Sequence, residues 1–240
     1  MWTARRWNGV FAQQAGLFRT AVATAAQADD VPSCPGWTFA DLTVHVARFL
    51  HTATRYLTSG SIVELKPVPV RRDVDPVVYL DEQLAAATQV LNNTSGNRPV
   101  WTFSPAAPDL AWVWHRRVAH ELNLRRWDAQ AALRTLTPTD REQAADAIDE
   151  LLGTLLAARL RGDSPPQYSG TAIVSCTDGP QTWYVRFEPG AAPEVRAADR
   201  NEKADARLSN RTANVLYQLR GRMQLTGEGD PTVLKGLRMS

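Results

Sequence analysis

The chain has 240 residues, 44% of them hydrophobic and 22% charged, enough to bury one large core or two ordinary ones. Its 27 Lys and Arg face 25 Asp and Glu, so a formal charge of +2 supplies no field that would recruit nucleic acid or an anionic membrane. Two cysteines in no metal or redox spacing argue against a disulfide scaffold and for a reducing compartment, with the cytoplasm expected.

The apolar residues near the start recur at helical spacing, with no stretch long enough for a signal or spanning segment. Trp7, Val10, Phe11, Leu17, Phe18, Ala21 and Val22 share one face and predict a first helix over about residues 4–28, ended by Pro32, Pro35 and Gly36. Thr38 with Asp41 is a helix-start signal, and Leu42, Val46, Phe49, Leu50 and Leu57 carry a second helix to about residue 58. His45 and His51 ride on it. Residues 59–75 read as a connection, and Asp75-Pro76 opens a third helix to about Leu91. A fourth helix is predicted over about residues 109–133, with Trp112, Trp114, Val118, Leu122, Leu124 and Trp127. A fifth spans residues 139–161, where Ile148, Leu151, Leu152, Leu155 and Leu156 keep register, and Gly162-Asp163-Ser164-Pro165-Pro166 reads as a linker. The eight tryptophans are mostly core, although a buried indole needs a partner for its N–H, so several are candidates to line a cavity.

Beyond the linker the period changes to two. Residues 171–176 and 182–187 flank Asp178-Gly179-Pro180, a hairpin signal, and residues 195–198, 206–208 and 225–229 suggest further short strands. Asn210 is read as capping a helix to about Leu219, and Asp230-Pro231 opens a closing helix. The expected fold is α+β: a helical bundle over residues 1–162, four helices and an additional one, then a small α/β domain over 167–240.

Polar residues concentrate on the fourth helix. Arg117, Glu121 and Arg125 are spaced by four and Asp128 by three more, so all four fall on nearly one face. The row reads either as solvated ion pairs or as a polar site inside a bundle. His45, among Val44, Val46 and Phe49, reads as a core histidine or a site residue, and spacing alone yields no complete metal set with His51, His115 or His120.

Two stretches carry a family resemblance. Pro32-Ser33-Cys34-Pro35-Gly36-Trp37-Thr38 with Asp41-Leu42 and His45, and Arg117-Val118-Ala119-His120-Glu121 followed by Arg126-Trp127-Asp128-Ala129, resemble the signatures of the mycothiol-dependent maleylpyruvate isomerase family, whose helical domain is similar to that of DinB proteins. Thr177-Asp178-Gly179, Trp183, Leu219-Arg220-Gly221-Arg222 and Thr226-Gly227-Glu228-Gly229-Asp230 resemble its small, sterol-carrier-like domain. The resemblance implies a divalent metal, zinc, held by His45, Glu121 and a histidine four residues beyond the glutamate. Here that third position is Arg125, which stays protonated and has no lone pair to donate, so metal binding is in doubt; His51 or His120 could replace it only with helix distortion or a rearrangement of the residues around the ligands.

By resemblance, then, the chain is expected to be a mycothiol-dependent transferase or isomerase of a small electrophilic or acidic substrate, with a degenerate metal site. His45 and Arg222 are the catalytic candidates, and Arg125, Asp128 and Arg222 the substrate-binding ones. The alternative is a non-catalytic small-molecule-binding or regulatory protein that keeps the family cleft. The expected partners are a small substrate or thiol, without nucleic acid or membrane, in a monomer or weak homodimer.

Overall fold

The computed structural model describes residues 2–67, 74–161 and 167–239. The chain forms two compact units, Met1–Thr102 with Pro108–Pro138, and Phe103–Ala107 with Thr139–Ser240.

The first unit is a four-helix bundle of α1 (Ala4–Thr24), α2 (Phe39–Ser59), α3 (Pro76–Asn93) and α4 (Ala111–Ala132). α1 and α2 each pack against both α3 and α4. Thr3 caps α1, whose inward face is Trp7, Phe11, Phe18 and Val22. α1 stops four residues short of the expected end because the following segment is used by the next helix: the carbonyls of Gln27 and Asp29 accept from Ala40 and Phe39, amides of the first turn of α2 that no helical carbonyl can reach. α2 opens on a reciprocal capping box of Thr38 and Asp41 and closes at Gly60, which takes the left-handed conformation that releases the chain. Asp75 and Pro76 start α3 as expected.

α4 is the helix the others cover. Every residue from Val113 to Leu124 is buried, so its polar row is no solvated stripe. Trp114 satisfies its indole N–H on the carbonyl of Trp101 at 2.8 Å. Arg126, fully enclosed, donates to Gln14, Asn123, Gln130 and the carbonyl of Thr137. No helix among the described residues is long and apolar enough to cross a membrane.

The first helix of the second unit is α5 (Arg141–Glu150), capped by Asp140. The single regular helix expected to residue 161 is interrupted: a π-helical turn, Leu151–Leu155, leads into one short α-helical turn and a 3-10 turn. The carbonyl of Thr154 in that segment accepts from the Ser104 hydroxyl at 2.7 Å, a partner from far along the chain that no periodicity reveals. The expected linker at 162–166 lies outside the described residues. α5 packs on α6 (Thr212–Leu219), which is why the compact units part between Pro138 and Thr139 rather than after residue 162.

The sheet has the order β3-β2-β1-β4-β5, with β1 (Gly170–Cys176), β2 (Thr182–Phe187), β3 (Glu194–Ala197), β4 (Ala206–Asn210) and β5 (Glu228–Gly229). β1 pairs antiparallel with β2 and parallel with β4; the other pairs are antiparallel. α6 and α7 (Pro231–Leu237) pack on β1 and β4, enclosing Ile173, Val174, Leu208, Val215, Leu219, Val233 and Leu237. Asn210 does not cap α6 as expected. Asp178, in the hairpin turn, accepts from both the amide and the hydroxyl of Thr212, while the Asn210 side chain is used by Arg211 and Asn214. β5 is shorter than expected. At Gly229, with φ of +89°, a Cβ would stand 2.1 Å from the Asp205 carbonyl, so only glycine lets the chain pass so close to β4.

Candidate functional site

In the first unit, a short turn, α2 and α4 bring a cluster of charged side chains together. The turn after α1 is closed by hydrogen bonds from Val31 to Trp37, Cys34 to Val31 and Trp37 to Cys34, with Gly36 at φ +80°. This folds Ser33, Cys34 and Trp37 toward α4. α2 adds His45, and α4 adds Arg117, Glu121, Arg125 and Asp128.

The geometry centres on Glu121. Its Oε1 lies 2.7 Å from Arg125 Nε and 3.4 Å from His45 Nε2, and its Oε2 accepts from Arg117. Arg125 Nη1 donates to Asp128 Oδ2 at 3.1 Å and stands 3.6 Å from Cys34 Sγ. Asp128, with a fully enclosed side chain, also accepts from the Ser33 hydroxyl at 2.7 Å and lies 3.4 Å from Cys34 Sγ. Two guanidinium groups therefore face two carboxylates in a nearly dry region, and their formal charges cancel. Burial works against the charge of Arg125, but Glu121 and Asp128 outweigh it and hold the guanidinium above the ordinary arginine pKa.

One ionisable member opens to solvent. The His45 side chain is 36% exposed against 12% for Arg125 and 7% for Glu121. Trp37 walls this opening, its ring 4.8 Å from the imidazole and 5.4 Å from the Arg125 guanidinium carbon, a cation–π distance.

A model of the mycothiol maleylpyruvate isomerase N-terminal domain matches residues 11–130, half of the chain and all of α2, α3 and the charged part of α4. The chain belongs to that family. Its fold is similar to the crystal structure of the mycothiol-dependent maleylpyruvate isomerase, with a TM-score of 0.60, 12% identity and coverage of 97% of this chain and 98% of that one. A histidine-to-alanine mutant of the mycothiol-dependent maleylpyruvate isomerase aligns equally fully, with a TM-score of 0.63 and 12% identity. No curated protein matches the sequence.

Against the zinc that family resemblance implies, the donor set does not fit. Of the three positions, His45 and Glu121 meet at Glu121 Oε1, but the third is a guanidinium, and both Glu121 oxygens already accept from arginines. Among the described residues no three His, Cys, Asp or Glu stand where they could hold a metal ion. Neither His51 nor His120 completes such a set, and His51 Nδ1 engages Gln83 at 3.2 Å while His115 Nδ1 engages Asn8 at 2.7 Å.

The structure thus brings His45, Glu121, Arg125 and Asp128 together in this family member. Arg222 belongs to the second unit, where its Nη1 donates to the carbonyl of Arg220. Sequence reasoning missed Ser33 and Cys34 as the partners of Asp128. The signal was available in two polar residues held between Pro32 and Pro35 inside the first signature, but no helical spacing links that loop to α4.

Proposed function

We propose that this chain is a small-thiol-dependent transferase or isomerase, with mycothiol as the thiol, acting on a small electrophilic or acidic substrate. The observation that carries the reading is His45: an imidazole at the open side of the cluster, with its Nε2 against the buried carboxylate of Glu121. Membership in the family supports the choice of thiol.

In this reading His45 takes the proton of the incoming thiol, and Glu121 stabilises the imidazolium that results. The thiolate then adds to an electrophilic carbon. In an isomerisation it leaves again after bond rotation, and in a transfer it stays with the product while the proton returns to the carbanion formed. Trp37 gives the substrate an apolar wall. Arg125 has Nε and Nη1 committed to Glu121 and Asp128, so its remaining edge, at Nη2, is what it offers an acidic group. Asp128 acts through Arg125 by holding that guanidinium in place. Arg222→Ala tests separately whether Arg222 holds an acidic group of the substrate, in which case KM rises with little change in kcat.

The deciding experiment is thiol-dependent turnover with mycothiol, taking maleylpyruvate as the first electrophile. Turnover by the wild type that falls about 100-fold or more in His45→Gln supports the reading. Absence of both turnover and calorimetric thiol binding ends it. The closed pairing of Arg125 with both carboxylates favours a second reading, a non-catalytic small-molecule-binding or regulatory protein. That reading predicts ligand binding without wild-type turnover, and activity only in Arg125→His supplied with zinc.

A further inference from the structure

We infer that the guanidinium of Arg125 is a built-in cation that assembles this cluster in place of a metal ion, and that an imidazole at the same position would turn the pocket into a divalent-cation site. Glu121 and Arg125 lie one helical turn apart on α4 and meet His45, from α2, at a single atom, Glu121 Oε1. Two side chains at i and i+4 with a third from a facing helix is the arrangement by which helices converge donors on a small cation. Here the converging cation is covalently part of the chain.

The guanidinium does more than fill space. Its planar fork reaches Glu121 through Nε and Asp128 through Nη1, and Asp128 in turn fastens Ser33 and Cys34. One fixed charge therefore ties α4 to the turn that carries Trp37, without lone pairs and without exchange with solvent. The same pairing keeps free ions out. Arg117 and Arg125 already balance Glu121 and Asp128, so an added divalent ion would stand among uncompensated positive charges unless a guanidinium moved away. Arg117 donates to Glu121 Oε2, whereas His45 and Arg125 meet at Oε1.

The test uses the full chain and Co²⁺ alone, read by equilibrium dialysis, visible d–d absorption and melting temperature. With no thiol present, its outcome is separate from that of the thiol reading. The wild type should bind no stoichiometric Co²⁺ and melt at the same temperature with or without it. Arg125→His should bind one Co²⁺ per chain, show tetrahedral d–d bands and melt higher with the ion, and it should lose all three when His45→Ala is added. Wild-type binding of one Co²⁺ per chain that depends on His45 overturns the inference. So does an Arg125→His variant that takes up no Co²⁺, or that Co²⁺ fails to refold where the apo form does not fold.

Discussion

Lowering the pH from 6.5 to 4 should destabilise the bundle by about 3 kcal/mol through one residue, His115. This imidazole is fully enclosed on α4, and burial lowers its pKa from 6.5 to about 4, with the backbone of Thr94 working weakly the other way. The tautomer is set by Asn8, whose Nδ2 donates to the Leu91 carbonyl at 3.0 Å and so presents Oδ1 to His115 Nδ1–H at 2.7 Å. At neutral pH both folded and unfolded chains hold a neutral ring, and titration costs nothing. Between about pH 6.5 and 4 the unfolded ring binds a proton that the folded one refuses, so stability falls as pH falls. At about 1–3 kcal/mol per molar urea, the unfolding midpoint should drop by about 1–3 M across that window. Asp41, Asp178 and Asp205, held below the ordinary carboxylate range by bonds from Thr38, Thr212 and Thr171, lose their contributions only further down, as pH falls through their folded values. Urea unfolding followed by circular dichroism at pH 7, 5.5 and 4.5, in wild type and His115→Gln, isolates the effect. The same slope in both proteins, or an NMR titration of His115 near 6.5, would refute the reasoning.

Three further substitutions probe the charged cluster and its supports. Arg125→Met removes the guanidinium that stands against the enclosed carboxylate of Asp128 and should cost about 3–5 kcal/mol in urea unfolding at pH 7. Arg117→Met should cost less, about 1–3 kcal/mol, because Glu121 keeps Arg125. Thr38→Ala removes one half of the capping box of α2 and should lose about 1 kcal/mol, with the far-UV helical signal unchanged; a loss no greater than that of an exposed Thr52→Ala control would show the box to be idle.

What the sequence revealed depended on whether the deciding force was local. The bounds of β2 were readable to the residue because Trp183, Val185 and Phe187 alternate inward along it. The start of α2 was readable because its cap lies three residues from its partner. The break in α5 was not, since its stabilising contact comes from Ser104, and the apolar stripe of Ile148, Leu151 and Leu152 tells that the helix is buried without telling against what. Asn210 was the cap the sequence offered for α6; the return of the hairpin beside Thr212 gives that part to Asp178, far off in the chain. Spacing placed Arg117, Glu121, Arg125 and Asp128 on one face but left open whether that face met water, and His45 joined them only through the family resemblance. The Ser33–Asp128 bond spans 95 positions, beyond the reach of any pattern read along one helix.

Because α4 is enclosed along its length, its functional positions cannot drift one at a time. A residue that reverses or removes a charge there strands an opposite charge in a dry interior, so descendants that change Arg125 must pass through a compensating exchange at Glu121 or Asp128, or acquire an external ion in the same step. A change at residue 125 should accordingly come with a change at Glu121 or Asp128, or with an ion that replaces the lost charge.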